Sequence, residues 1–252
     1  MIGSFVALGD SFTEGLDDPD PSGAGFRGWA DRLADLLATQ QPGFRYANLA
    51  VRGKLVDQVV EEQVPLAVVG KPDLVTLCAG GNDVMRPGTD PDRLAASMTV
   101  AIDAVRTVGS RVVLFTGADP RNVPLLRRTR PKVIAYNDHL RALAERYECV
   151  LVDLWSMEPL YDWRAWSEDR LHLSAAGHAR VAGHVAELLG VPGAPDWRAP
   201  WPPSERVGWF AARRADAYWL RVHVLPWVRR RLRGQSSGDG RSPKRPELSP
   251  YP

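Results

Sequence analysis

Apolar residues gather into five short runs in the first part of the chain: Ile2 to Leu8, Phe44 to Leu49, Leu74 to Cys78, Arg111 to Phe115 and Cys149 to Val152. The runs are continuous more than alternating, which is the pattern of strands covered on both faces, as in a parallel sheet. Between them, helical spacing predicts helices over Gly28 to Thr39, Lys54 to Val69, Pro91 to Val108 and Pro131 to Tyr147. A last helix follows over Ser174 to Leu189, with Ser174 as N-cap and Gly190 just past its end. Strands alternating with helices predict a doubly wound, flavodoxin-like α/β fold with a five-stranded parallel sheet flanked by helices. Ligands of such sheets sit beyond the carboxyl ends of the strands, so the chemistry is sought at the strand exits.

The 252 residues are 44% hydrophobic and 25% charged with a net charge of +2, an ordinary globular composition that predicts no nucleic-acid partner. No apolar run approaches the roughly 18 residues of a membrane span, and the N-terminus lacks a basic region and an apolar stretch, so a cytoplasmic location is expected. Cys78 and Cys149 are the only cysteines and form no Cys-x-x-Cys, which predicts neither a disulfide framework nor a zinc site.

Charge is distributed unevenly. Residues 201–252 carry 11 Lys/Arg against 4 Asp/Glu, leaving 21 against 26 for residues 1–200. With the proline count rising after Pro192, this divides the chain into a domain over 1–191, a Pro- and Trp-rich linker over 192–203, a basic extension over 204–233 and a disordered tail over 234–252. In the extension, Val207, Phe210, Ala211, Tyr218, Val222, Leu225, Val228 and Leu232 share one helical face, with Trp209 and Trp227 away from it. Pro226 is expected to break or restart this amphipathic helix. The reading favoured is that residues 204–225 pack on the acidic body. The Arg-rich end over 226–233 is then left for an anionic membrane surface or a protein partner.

The first strand is followed by Gly9-Asp10-Ser11, the second by Gly53, the third by Gly80-Gly81-Asn82-Asp83, and the fifth by Asp169-Arg170-Leu171-His172. Singly these are turn residues: Gly-Asp-Ser is more often only a turn, and Asp-x-x-His is a common coincidence. Together they place a hydroxyl, a backbone N–H, an amide donor and an Asp–His pair at the exits of strands one, two, three and five. In that order they resemble the SGNH/GDSL hydrolase family, whose blocks are named for Ser, Gly, Asn and His. The resemblance spans about Met1 to Leu189 and leaves the tail uncovered. One small departure is Phe12-Thr13-Glu14-Gly15, where some members have Leu after the serine.

The resemblance implies the SGNH hydrolase fold and a serine esterase acting through an acyl-enzyme. Ser11 is the expected nucleophile, His172 its general base, and Asp169 the group that fixes the imidazole tautomer. The backbone N–H groups of Ser11 and Gly53 and the amide of Asn82 are the expected oxyanion hole. Neither a metal nor an organic cofactor is required. Arg52, Arg86 and Trp163 are candidate substrate contacts, against the plainer reading of exposed arginines as solvated surface and clustered tryptophans as loop seals. The expected substrate is a small-to-medium acyl ester, O-acetyl groups on carbohydrate included. The rival reading is a non-catalytic protein that binds a membrane surface or partner through its basic C-terminal helix.

Overall fold

The structure is a computed structural model that describes residues 2–23, 25–123, 125–203 and 208–252. β1 (Ser4–Gly9) is buried along its whole length and runs directly into one helical turn, α1 (Ser11–Glu14). α2 (Gly28–Ala38), β2 (Arg45–Asn48), a helical stretch, β3 (Leu74–Cys78) and a second short turn, α5 (Gly81–Val84), follow. The helical stretch consists of α3 (Val56–Gln58), a π turn (Val59–Gln63) and α4 (Val64–Gly70). α6 (Pro91–Arg106), β4 (Arg111–Phe115), α7 (Arg130–Arg146), β5 (Val150–Val152) and α8 (Ala175–Leu189) complete the alternation. The five expected strands are therefore present and mutually parallel, in the order β5-β4-β3-β1-β2.

Each face of the sheet is covered by a separate core. Trp29 and Leu33 of α2 meet Val181 and Val185 of α8 on one side, and Val59, Met98, Ile102 and Leu140 pack on the other. The strand order reverses beside β1, whose neighbours are β3 and β2, so the crevice at its carboxyl end is the expected ligand site of a doubly wound sheet. Ser174 caps α8 by accepting the N–H of Gly177 at 3.2 Å, and Gly190 ends it in a left-handed conformation, as the sequence predicts.

Two expectations are corrected. The sheet has six strands and is mixed, because β6 (Arg245–Pro250) pairs antiparallel with β2 inside the stretch expected to be disordered. Its sequence Arg-Pro-Glu-Leu-Ser-Pro carries no strand pattern; two prolines are tolerated because an edge strand needs only one hydrogen-bonding side. Lys244 anchors it. Its ammonium donates to the carbonyls of Glu14 (2.8 Å), Phe26 (2.9 Å) and Arg27 (2.7 Å) and to the Asp31 carboxylate (2.7 Å). Tyr251 adds edge-on contacts to Phe44 and Tyr46 and donates its hydroxyl to Asp35. The expected linker is likewise held against the domain: Arg180 donates to the carbonyls of Trp197 and Ala199 and stacks over Trp201.

The second correction concerns the extension. α9 (Trp209–Trp219), a π turn (Leu220–Val224) and α10 (Leu225–Leu232) form one helical run in which Pro226 sits in the first turn of α10, where its missing N–H costs nothing. Its expected apolar stripe does not pack. Phe210 is 80% exposed, Tyr218 57% and Leu232 83%, while Val207 lies outside the described residues. The partly covered side instead holds Asp216, Trp219, His223, Trp227 and Arg231. The Trp219 indole donates to the Asp169 carbonyl at 2.7 Å, and Asp216 pairs with Arg170 at 2.8 Å. At about 100° per residue, Asp216, Trp219, His223, Trp227 and Arg231 fall within about 60° of one direction, opposite the apolar stripe, so the run lies on the domain by the side that the stripe leaves.

Candidate active site

Ser11 opens α1 at the carboxyl end of β1, with Asp10 as N-cap accepting the N–H of Phe12 at 3.1 Å. The first N–H groups of a helical turn have no partner within it, so the N–H of Ser11 faces outward as a donor. The chain can turn here because Gly9 has φ +151°, where a Cβ would lie 2.3 Å from the Cys78 carbonyl oxygen. Gln63, buried in the first π turn, clamps that turn: it accepts the Gly9 N–H at 2.8 Å and donates to the Gly9 carbonyl at 2.9 Å.

His172 arrives from the loop before α8. Its Nε2 lies 2.9 Å from Ser11 Oγ and its Nδ1 2.5 Å from Asp169 Oδ2. Asp169 is fixed in turn, since its Oδ1 accepts the backbone N–H groups of Leu171 and His172, each at 2.9 Å. The Ser167 hydroxyl lies within hydrogen-bond reach of Asp169 (2.7 Å) and Asp17 (2.6 Å). Burial raises the Asp169 pKa, but the hydrogen bond and charge of His172 outweigh it and hold the carboxyl well below the usual range. For His172, burial alone disfavours the imidazolium; the Asp169 hydrogen bond and charge overcome this, with Asp17 and Asp10 adding, and the net shift is upward. Asp17, Asp169 and His172 also form a three-donor cluster, but Nδ1 is already committed to Asp169.

Asn82 lies in α5 at the exit of β3. Its amide donates to Asp10 Oδ2 and to the Lys54 carbonyl, both at 3.1 Å. Burial pushes Asp10 up to about 6, partly offset by the Phe12 N–H. Gly53 takes φ +77°, and a Cβ there would lie 2.2 Å from the hydroxyl of Ser236 in the C-terminal segment. Two chambers open on Ser11, Asn82 and His172. One, of about 220 Å³, is walled by apolar groups that include Phe12, Phe115, Val133, Leu154 and Leu160. The other, of about 700 Å³, is wider and is roofed by Trp219, His223 and Trp227 of the C-terminal helix.

A serine at 2.9 Å from an imidazole that is itself oriented by a part-buried carboxylate can carry out nucleophilic acyl transfer. Residues 7–180 match the sequence profile of the GDSL-like lipase/acylhydrolase family. The chain belongs to that family. It is a carboxylic ester hydrolase accordingly. GDSL esterase/lipase CPRD49 of Arabidopsis thaliana is 24% identical over 207 residues, covering 71% of this chain and 76% of its own. Among solved structures, TesA superposes with a TM-score of 0.60 at 24% identity, covering 74% of this chain and 97% of its own. Axe2, an acetylxylan esterase from Geobacillus stearothermophilus, gives 0.56 at 22% identity, covering 77% and 95%. These likenesses establish a shared SGNH hydrolase fold.

In this GDSL hydrolase the expected substrate contacts fare differently. Trp163 borders the apolar chamber. Arg52 borders the wider one, but its charge is committed: its backbone N–H and guanidinium both bind Glu14, and it stacks 5.1 Å over Phe26. Arg86 lines neither chamber: it lies exposed two residues past α5, where its carbonyl accepts Lys132. Sequence reasoning missed Gln63 and the roof residues Trp219 and Trp227. Gln63 stands beside Glu61 and Glu62 in a helix that also holds Gln58, so nothing in the sequence singled it out. For the roof there was no signal either, since contact across about 50 residues of sequence leaves no local mark.

Proposed function

We propose that this GDSL hydrolase cleaves small-to-medium acyl esters by a Ser11–His172–Asp169 triad. The observation that carries the reading is the continuous line from Asp169 through His172 to Ser11 Oγ at 2.5 and 2.9 Å. His172 takes the Ser11 proton as the oxygen attacks the ester carbonyl, then returns it to the departing alcohol; water repeats the cycle on the acyl-enzyme. Asp169 stays ionised and stabilises the imidazolium.

The N–H groups of Ser11 and Gly53 and one Asn82 amide hydrogen, shared with its resting acceptor, hold the oxyanion. The apolar chamber takes the acyl group, with Trp163 at its edge, and its volume of about 220 Å³ suits short and medium chains. The wider chamber takes the alcohol and leaves room for a sugar bearing an O-acetyl group. Steady-state rates for p-nitrophenyl esters of increasing chain length test this. Turnover should peak at short to medium chains and disappear in Ser11→Ala, and a fluorophosphonate should label Ser11 alone. Normal turnover by a folded Ser11→Ala protein would sink the reading.

A further inference from the structure

The helical run 209–232 lies across the catalytic mouth with one side turned inward, and its outer side has no partner among the described residues. Phe210 is 80% exposed, Tyr218 57%, Leu225 44% and Leu232 83%. Residues 209–233 also hold seven arginines against one acidic residue, Asp216, a net of 7 − 1 = +6. Asp216 is taken up by Arg170 and Arg213. Arg214, Arg221, Arg229 and Arg233 pair with no carboxylate among the described residues, so their charge is directed at solvent. Exposed large apolar side chains gathered on one side of a helix call for a partner.

Charge chooses the partner. Rings, leucines and arginines are interleaved along the run with a net charge of +6 and its single acid already paired, which fits an extended anionic surface. The headgroup layer of a bilayer suits interleaving: rings and leucines enter the acyl boundary while arginine stems extend their charged ends to the phosphates. The remaining charge selects the same orientation, because residues 1–200 carry 21 basic against 26 acidic groups and would turn away from an anionic surface.

We infer that the outer face of residues 209–232 docks on an anionic lipid surface and holds the catalytic mouth at the headgroup layer. This inference is independent of the esterase mechanism and is read by binding alone. The full chain should co-sediment with phosphatidylcholine vesicles containing phosphatidylglycerol at low salt, lose that binding as salt rises, and leave pure phosphatidylcholine vesicles unbound. Arg229→Ala and Arg233→Ala should weaken partitioning by about fivefold per arginine. Phe210→Ser and Leu232→Ser should weaken it as well. All four residues lie outside both chambers, so turnover of soluble p-nitrophenyl acetate and the melting temperature should not change. Absence of vesicle binding at low salt, equal binding to neutral vesicles, or wild-type binding by the variants would each overturn the inference. Self-association abolished by Phe210→Ser, without vesicle binding, would assign the face to a second copy instead.

Discussion

Ser11 comes within 2.9 Å of His172 because residues far apart in sequence each make a short local contact: Gly9 turns the chain, Gln63 clamps it, Asp169 orients the imidazole and Asn82 holds Asp10 beside the turn. A donor used most strongly as charge develops affects kcat more than KM, so Asn82→Ala should lower kcat by about 100- to 1,000-fold with KM little changed. Steady-state kinetics on p-nitrophenyl butyrate would show this; a rise in KM alone would make Asn82 a binding residue. His172 acts as a base only when neutral, and its pKa lies above the ordinary 6.5. Rate should therefore fall with falling pH along a limb in kcat/KM centred above 6.5. Asp169→Asn removes the partner that favours the imidazolium and should move that midpoint down while lowering the rate. Which residue types stand at the strand exits could be read from the sequence because turn chemistry is local. Arg86 could not be placed, since which way a side chain leaves a short helical turn depends on what surrounds that turn.

Among the elements, the strands and long helices follow their patterns closely, and the departures occur where a tertiary contact overrides a local rule. β6 is held by Lys244 more than by any preference of its own sequence. Burial lowers the Lys244 pKa, opposed by Asp31, so its ammonium is an enclosed charge whose partners are three carbonyls and a carboxylate. Lys244→Met leaves Asp31 without its cation and should cost about 3 kcal/mol in urea unfolding. A change below the error of that measurement would mean that β6 is held by its ladder alone.

For the whole molecule, the C-terminal segment is part of the domain's architecture, since it supplies the sixth strand and the roof over the wider chamber. Deleting residues 234–252 should lower the melting temperature by roughly 10 °C, as edge β2 loses its ladder and Tyr46 its contact with Tyr251. An unchanged melting temperature would show the segment to be dispensable. The sequence by itself determined the alternating α/β architecture, the boundaries of its elements to within a few residues, and which residue types stand at the strand exits. All of these depend on burial periodicity and turn chemistry, which act over a few neighbouring residues. Only the tertiary structure decided that β6 joins the sheet, that the helical run turns Trp219 and Trp227 inward and its apolar stripe outward, and which arginine borders the site. Those outcomes depend on contacts between segments up to 230 positions apart, such as Lys244 with Glu14, and no local pattern encodes the surface a segment will meet.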